Sequence, residues 1–245
     1  MSSPHYLTNT NLPPEGFCNA CDSNTLFSVP AAFSDFREHY KCTRCGSVPR
    51  ERSLMMAIEK FLPAWRNMAI HESSPGTRGA SLKLAQAPGY TCSQYWPDAS
   101  PGELRNGIRN ENLERLTWPD NTFDLFVTQD VMEHVFDPRS AFLEIARVLK
   151  PSGAHVFTVP LVNKWSPSEV AATRDAEGKI TYHRPAEYHG NPVAEEGSLV
   201  VMQWGYDIVD AISSWTGMTT TIFHADNIQL GIRAEYVEVL VCRKK

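Results

Sequence analysis

The hydrophobic pattern is clearest between residues 123 and 153. A short apolar run over residues 123–127 is typical of a strand that is buried on both faces of a parallel sheet. Polar residues end this run, and Asp137 followed by Pro138 then predicts the N-cap and the first position of a helix. A second apolar run covers residues 154–159. The segment therefore predicts strand, loop, helix and strand, which is the right-handed crossover unit of an open parallel sheet.

Weaker patterns on both sides of this unit extend the sheet. Residues 65–86 predict a first strand, a turn and a helix, and residues 90–95 predict a second strand. Asp207 predicts the cap of a helix that ends at Gly217, and residues 219–223 and 236–242 predict the last two strands. In open parallel sheets ligands bind beyond the carboxyl ends of the strands. The loop TQDVMEH, residues 128–134, is therefore expected to belong to a binding site.

Four cysteines near the N-terminus have the spacing C-x2-C-x20-C-x2-C, and they are Cys18, Cys21, Cys42 and Cys45. Each C-x2-C pair turns two thiolates toward one point, and two pairs supply a closed tetrahedral set for zinc. Four protein ligands leave no position for water or substrate, so the zinc is expected to be structural. Two disulfides, or four unrelated buried thiols, are the alternatives. The start of the sequence does not have the pattern of a secretion signal, which favours zinc.

The segment behind the last cysteine pair combines charge with a helical pattern. Apolar residues recur at helical spacing over residues 54–62, and this helix is expected to pack the four-cysteine unit on the main sheet. Arg44, Arg50 and Arg52 could bind an anionic group of a substrate. Solvated surface charge is the interpretation that the sequence favours for these three arginines.

Composition restricts the class of protein. The chain has 245 residues, 42% of them hydrophobic, and a formal net charge of −5. It lacks an apolar stretch of the roughly 20 residues that span a bilayer, so we expect a soluble, cytoplasmic protein without a membrane partner. The acidic balance gives no broad basic surface for nucleic acid. A small-molecule or carrier-bound substrate is therefore favoured over nucleic acid.

The crossover unit also resembles a known family. The stretch FDLFVTQDVMEHVFDPRSAFLEIARVLKPSG resembles the fourth and fifth motifs of class I S-adenosylmethionine-dependent methyltransferases, and a weaker resemblance covers residues 64–243. A generic doubly wound α/β unit would have the same strand and helix pattern. The residues EH after the strand, and LKPSG before the next one, favour the methyltransferase. The resemblance implies an α/β fold with a Rossmann-like, mostly parallel sheet, a closing antiparallel hairpin and a small N-terminal zinc ribbon.

The resemblance also implies where S-adenosylmethionine binds. The family has an acid followed by glycines at every second position after the first strand, which let the backbone approach the cofactor. Glu72 and Gly76 match this pattern, whereas Ser74 replaces the first glycine and Arg78 the last. The second strand ends near Gln94, which would face the ribose, and residues 108–120 resemble the segment that faces the adenine. The implied cofactor residues are Glu72, Ser73, Ser74, Pro75, Gly76, Gln94, Asn112, Leu113, Gln129 and Asp130.

Residues 161–205 interrupt the alternating pattern with a long polar and aromatic excursion. It leaves the sheet after the strand that ends at Val159, so it is expected to cover the carboxyl edge and enclose a substrate. The alternative is a surface insertion with packed aromatic residues. A base that deprotonates a hydroxyl or amine acceptor would be sought here first, because histidine titrates near neutral pH. The catalytic candidates are His189, then His183, with Tyr188 for positioning, and His134 and Asp130 from the central loop.

The expected organisation is a flexible arm over residues 1–16, a zinc-ribbon unit over 17–50 and a methyltransferase domain over 51–245 that contains the capping insertion 161–205. The expected function is methyl transfer from S-adenosylmethionine to a hydroxyl or amine of a small-molecule or sugar-bearing substrate. Two alternatives stay open. One is an RNA methyltransferase, since some of these also have an N-terminal four-cysteine unit. The other is a non-enzymatic binding protein that kept the fold, which the imperfect glycine pattern allows.

Overall fold

The computed structural model describes residues 15–29, 35–191 and 194–245. Residues 1–14 of the expected N-terminal arm lie outside the described residues, and the first strand begins at Glu15, inside the range expected for that arm. In chain order the strands are β1 (Glu15–Cys18), β2 (Ser23–Ser28), β3 (Lys41–Cys42), β4 (Ile70–Ser73), β5 (Tyr90–Gln94), β6 (Leu104–Arg105), β7 (Ile108–Asn110), β8 (Phe123–Gln129), β9 (Leu149–Thr158), β10 (Glu169–Val170), β11 (Ala172–Arg174), β12 (Ile180–Tyr182), β13 (Tyr188–Asn191), β14 (Ala194–Leu199), β15 (Met202–Gln203), β16 (Thr219–Phe223) and β17 (Val239–Arg243). The helices are α1 (Phe36–His39), α2 (Pro49–Phe61), α3 (Gly79–Leu84), α4 (Pro138–Val148) and α5 (Ile208–Thr216), with 3-10 turns at Trp65–Asn67, Met132–His134 and Ile228–Leu230.

The main sheet has eight strands in the order β16-β17-β9-β8-β4-β5-β7-β6. The pairs of β4 with β5, β4 with β8, β5 with β7, and β8 with β9 are parallel. Strand β17 pairs antiparallel with both β9 and β16, which closes the sheet with a hairpin. The strand order reverses on either side of β4, so this is the position where an open α/β sheet binds its ligand. The predicted fold class is confirmed.

The central crossover unit forms as the sequence predicts. Asp137 caps α4 by accepting a hydrogen bond from the backbone N–H of Ser140, and Pro138 is the first helical residue. The cap predicted at Asp207 is wrong in one respect: its carboxylate accepts hydrogen bonds from Ser168 rather than from its own helix. Helix α5 still ends at Gly217, which has a left-handed φ of 71°.

Apolar side chains pack on both faces of the sheet. One cluster joins α2 and α3 to β4, β8, β9 and β17 and continues into the four-cysteine unit. The other joins α4 and α5 to β8 and β9 and includes Trp204 from the excursion. Among the described residues, each helix is too short or too polar to cross a bilayer.

Arg52 attaches the four-cysteine unit (described residues 15–29 and 35–48) to the rest of the fold. Its side chain is fully buried, so the expectation of a solvated surface arginine is wrong. The guanidinium donates to the carbonyl oxygens of Tyr40 and Gly231, at 2.8 and 2.7 Å, and also to that of Ser47. It lies 4.5 Å from the ring centroid of Phe27. A buried charge is tolerated here because carbonyl dipoles and an aromatic face replace its hydration.

The buried His155 on β9 makes folding stability depend on pH. Its ring stacks on Phe157 with centroids 4.4 Å apart, and burial lowers its pKa to about 3. In the unfolded chain a histidine takes up its proton near pH 6.5, whereas the folded protein does not until the pH is about 3. Since the unfolded state binds more protons over that window, the free energy of unfolding falls as the pH falls.

We therefore expect His155→Phe to flatten this dependence. Below about pH 6 the slope of the free energy of unfolding against pH should decrease by about 1.4 kcal/mol per pH unit relative to the wild type. Urea unfolding at pH 7, 6 and 5 measures both slopes. Equal slopes in the two proteins would mean that His155 is protonated in the folded state.

Candidate functional site

A cavity of about 1370 Å³ opens at the carboxyl ends of β4, β5, β7 and β8. Arg50 and Glu51 of α2 and residues 235–236 before β17 contribute to its lining, and the rest comes mainly from three parts of the chain. The first is the set of loops that follow these strands, the second is helix α1 of the four-cysteine unit, and the third is the excursion. Residues of the excursion that line the cavity include Arg174, His189 and Met202. The cavity is therefore enclosed by segments that are far apart in the sequence.

The turn after β4 lies over a buried carboxylate. Glu72 accepts hydrogen bonds from Ser81, Tyr90 and Gln129, each at 2.7 Å. Burial raises the pKa of Glu72 above its usual value, although these three hydrogen bonds act in the opposite direction. Its side chain is fully buried and is not among the residues that line the cavity. Glu72 therefore supports the turn from inside the protein through its hydrogen bonds. The adjoining residues Ser73, Ser74, Pro75 and Gly76 line the cavity.

The backbone explains how this turn departs from the family's glycine pattern. Ser74 has a φ of 56°, so a serine adopts the left-handed conformation at the place where the family has its first glycine. Gly79 also has a positive φ, and a Cβ there would lie 2.1 Å from a carboxylate oxygen of Glu51. The glycine that the local packing requires is therefore Gly79, beside Arg78.

The other implied cofactor residues reach the same cavity. Gln94 ends β5, Asn112 and Leu113 follow β7, and Gln129 and Asp130 end β8, and all five line the cavity. The side-chain oxygen of Gln129 is buried and has no hydrogen-bond partner among the described residues. An ammonium group such as that of S-adenosylmethionine would satisfy this acceptor. The residues present therefore fit the cofactor.

Asp130 is held by two arginines. Arg37 of α1 donates two hydrogen bonds to its carboxylate, at 2.9 and 2.8 Å, and the Nε of Arg50 lies 2.9 Å from it. Burial raises the pKa of Asp130, but the two guanidinium groups outweigh burial and hold this pKa below its usual range. Asp130 is therefore a weak base. The expectation of a solvated surface charge is wrong for Arg50 also, because its side chain is only 14% exposed.

The opposite side of the cavity contains a carboxylate between two histidines. Glu133 is 2% exposed, and neither of its carboxylate oxygens has a hydrogen-bond partner among the described residues. His134 Nε2 and His189 Nδ1 each lie 3.7 Å from Glu133 Oε1. Glu133 raises the pKa of His189, against the effect of burial. We call Glu133, His134 and His189 the Glu–His cluster.

The excursion holds the Glu–His cluster in place. The backbone N–H of Val201 donates to the carbonyl of Glu133 at 2.8 Å, and the Nδ1 of His134 lies 2.8 Å from the carbonyl oxygen of Leu199. The indole N–H of Trp204 donates to the carbonyl of Met132. Sequence reasoning selected the two histidines but missed Glu133, although this glutamate is part of the EH pair that supports the family resemblance.

The structure does not bring His183 and Tyr188 to the cavity. His183 is exposed and its Nε2 lies 3.0 Å from the hydroxyl of Thr173. Tyr188 is 52% exposed, and an interaction with Tyr182 raises its pKa. Neither is among the described residues that line the cavity. Of the catalytic candidates, His189 and His134 are therefore the two that the structure places together.

The four cysteine sulfurs converge as the spacing predicts. Strands β1, β2 and β3 form a small antiparallel sheet that supports both cysteine pairs. The Sγ atoms of Cys18 and Cys45 are 3.7 Å apart and those of Cys21 and Cys42 are 3.9 Å apart. A tetrahedral zinc site with bonds of about 2.3 Å has sulfurs about 3.8 Å apart. The four thiols are not joined by disulfides, and their geometry fits zinc.

Comparisons with known proteins agree with this geometry. Residues 78–157 match the model of a methyltransferase domain. The chain therefore contains the sequence of a methyltransferase domain over these residues, as its resemblance to class I S-adenosylmethionine-dependent methyltransferases predicts.

Individual relatives are more distant. An uncharacterized methyltransferase of Schizosaccharomyces pombe is 45% identical over 46 residues, which are 19% of this chain and only 16% of that protein. A crystal structure of an S-adenosylmethionine-dependent methyltransferase from Mesorhizobium loti has a TM-score of 0.50 at 17% identity, and the alignment covers 78% of this chain and 98% of that one. This similarity extends the fold assignment beyond the matched domain.

Proposed function

We propose that the protein transfers the methyl group of S-adenosylmethionine to a hydroxyl or amine of a small-molecule or carrier-bound acceptor. The observation that carries this proposal is the single cavity that joins the turn after β4 to the Glu–His cluster. One end of the cavity fits the methyl donor, and the other end offers polar groups to an acceptor. The excursion, as the capping insertion, separates this acceptor end from water.

The residues that hold the cofactor are assigned by their place in this cavity. Ser74 and Gly76 line it along the turn, and we assign Gln94 to the ribose and Asn112 and Leu113 to the adenine. Gln129 would accept a hydrogen bond from the ammonium group, and Asp130 fixes Arg37 and Arg50 at the same edge. When bound, S-adenosylmethionine supplies a methyl group that is activated by a positively charged sulfur. The protein then mainly has to align the acceptor with that methyl group.

The charge of the cavity favours a neutral or cationic acceptor. Nine acidic residues line it, and four arginines do so. A polyanion such as RNA would be repelled by this excess of carboxylates, whereas a positively charged sulfonium would be attracted. We therefore place small hydroxyl and amine compounds ahead of nucleic acid.

The Glu–His cluster is assigned to the acceptor. His189 assists the loss of the acceptor's proton, and Glu133 and His134 position it. Deprotonation assisted by a positioned group contributes about 10² to 10⁴-fold in such reactions. Asp130 has no part in it, because its pKa is held low by Arg37 and Arg50.

The four cysteines are assigned to one structural zinc ion. Four thiolates fill the coordination sphere, so the ion takes no part in the reaction. The reduced thiols suit the cytoplasmic compartment expected from the sequence.

Binding of S-adenosylhomocysteine, measured by calorimetry, tests the proposed function. The wild type should bind it, and Gly76→Val should abolish or strongly weaken binding, because the branched side chain would occupy the cavity beside the turn. A Cβ on Gly76 meets nothing closer than the Ser81 hydroxyl, at 3.5 Å, so this variant should fold normally by circular dichroism. Absence of binding in the wild type would overturn the function, and unchanged affinity in the folded variant would overturn the assignment of the turn.

A further inference from the structure

We infer that the Glu–His cluster is a binding site for a divalent first-row transition ion. Its ligand atoms are one carboxylate oxygen of Glu133, the Nε2 of His134 and the Nδ1 of His189. One atom from each of the three residues can be chosen so that all lie within 4.8 Å of one another. Two ligands at about 2.1 Å from one ion are at most about 4.2 Å apart, so the two 3.7 Å separations fit.

The buried carboxylate of Glu133, which has two imidazoles near it but no hydrogen-bond partner among the described residues, is the observation that points to a cation. Glu133 is 2% exposed, and both of its oxygens are buried without a hydrogen-bond partner among the described residues. Burying a carboxylate without a partner costs several kcal/mol, and buried carboxylates are therefore paired or coordinate a metal. A cation between Glu133 and the two imidazoles would satisfy this group.

The contacts around the histidines have the form that metal ligands require. If His134 donates from Nδ1 to the carbonyl of Leu199, its Nε2 carries the lone pair on the side of Glu133. His189 has its Nε2 3.4 Å from Glu187 and its Nδ1 toward Glu133. A ligating histidine usually donates its other ring N–H to a carbonyl or carboxylate, which fixes the tautomer and orients the ring.

The ligand set selects the ion and leaves room for an acceptor. Two imidazoles with one carboxylate suit Zn²⁺, Mn²⁺ or Fe²⁺ better than Mg²⁺ or Ca²⁺, which prefer oxygen ligands alone. Three protein ligands leave at least one position open. Because the cluster lines the cavity, the open position would take an oxygen of the acceptor, and the ion would lower the pKa of a bound hydroxyl so that its proton is lost to water. His189 would then assist the loss of this proton as a ligand of the ion. This role in catalysis rests on the proposed function, whereas the ion site itself does not.

Titration with Mn²⁺, followed by the electron paramagnetic resonance signal of the free ion, tests the site. Mn²⁺ has little preference for thiolates, so the four-cysteine site does not compete for it. The wild type, with its structural zinc in place, should bind one Mn²⁺ per chain. Glu133→Gln and His189→Ala should each weaken binding by at least about tenfold, because each removes a ligand. His183→Ala removes an exposed histidine from the same excursion and should bind Mn²⁺ as the wild type does.

The ion site would be overturned if the wild type did not bind Mn²⁺. It would also be overturned if Glu133→Gln and His189→Ala bound Mn²⁺ as tightly as the wild type does. In that case the cluster would be an ion pair of Glu133 with a protonated His189. Because Glu133 is buried, the folding of Glu133→Gln is checked by circular dichroism and zinc content. If Glu133→Gln does not fold, the Mn²⁺ affinity of His189→Ala alone tests the site. Calorimetry with S-adenosylhomocysteine on the same preparations separates the two proposals. Cofactor binding without Mn²⁺ binding rejects the ion site alone, and Mn²⁺ binding without cofactor binding rejects the proposed function alone.

Discussion

Replacing Cys42 with serine should remove the zinc ion of the four-cysteine unit and unfold that unit. The Sγ of Cys42 is buried in β3, and its removal leaves three sulfurs where a structural zinc site needs four ligands. Structural zinc stabilises small units by about 10 to 16 kcal/mol, and a unit of this size has little core of its own. Metal analysis should find about one zinc per chain fewer in Cys42→Ser than in the wild type.

Cys92→Ser is the matched control for this experiment. Cys92 lies in β5, outside the four-cysteine group, and its loss should leave the zinc content equal to that of the wild type. Cys42→Ser should also reduce affinity for S-adenosylhomocysteine, because Arg37 of the four-cysteine unit contacts Asp130 at the cavity. A Cys42→Ser protein with its full complement of zinc would show that the four cysteines are not the ligand set.

Replacing His189 with alanine should lower the rate of methyl transfer by about 10² to 10⁴-fold, with little change in affinity for S-adenosylhomocysteine. The side chain lies in the acceptor end of the cavity, against Glu133, and on the excursion rather than on the turn proposed to hold the cofactor. An acceptor is first found by screening hydroxyl and amine compounds for formation of S-adenosylhomocysteine. The rates of the wild type and the variant are then compared with that compound at saturating cofactor.

His183→Ala should have a rate close to that of the wild type, because His183 is exposed and lies outside the cavity. This control distinguishes His189 from His183, which the sequence alone offers as the second candidate for the same role. If His189→Ala turned over normally, His189 would not be needed for deprotonation, and alignment of the acceptor with the methyl group would account for the rate. If His189→Ala lost cofactor binding, His189 would be assigned to the binding site of the methyl donor.

The parts of the fold that were predicted correctly are those set by local sequence. The run that forms β8 is apolar enough to mark a strand buried on both faces, and Asp137 with Pro138 marks the start of α4. The two cysteine pairs are recognisable because their spacing reflects the chemistry of a single ion. These signals need no knowledge of distant residues, so one sequence is enough to detect them.

The errors arise where a residue's environment is set by a distant part of the chain. Arg50 and Arg52 have the local sequence of surface residues, yet Arg50 pairs with Asp130 and Arg52 bonds to Gly231, which is 179 residues away. The same reason explains the omission of Glu133, since the histidine that contacts it from the excursion is not a sequence neighbour. Tertiary contacts of this kind leave no periodic pattern, and charged residues are surface residues by default.

The position of Arg52 has a consequence for the synthesis of the chain. The four cysteines are synthesised before the residues that attach their unit to the sheet, so the zinc unit can form as soon as Cys45 has emerged from the ribosome. Its attachment must wait, because Arg52 bonds to Gly231 and the hydroxyl of Ser53 donates to the carbonyl of Val237. Strand β17, which closes the sheet beside β9, also comes after these residues. The nascent protein therefore carries a zinc unit whose apolar face stays exposed until residues 231–243 have been synthesised, and exposed apolar surface of this kind favours aggregation.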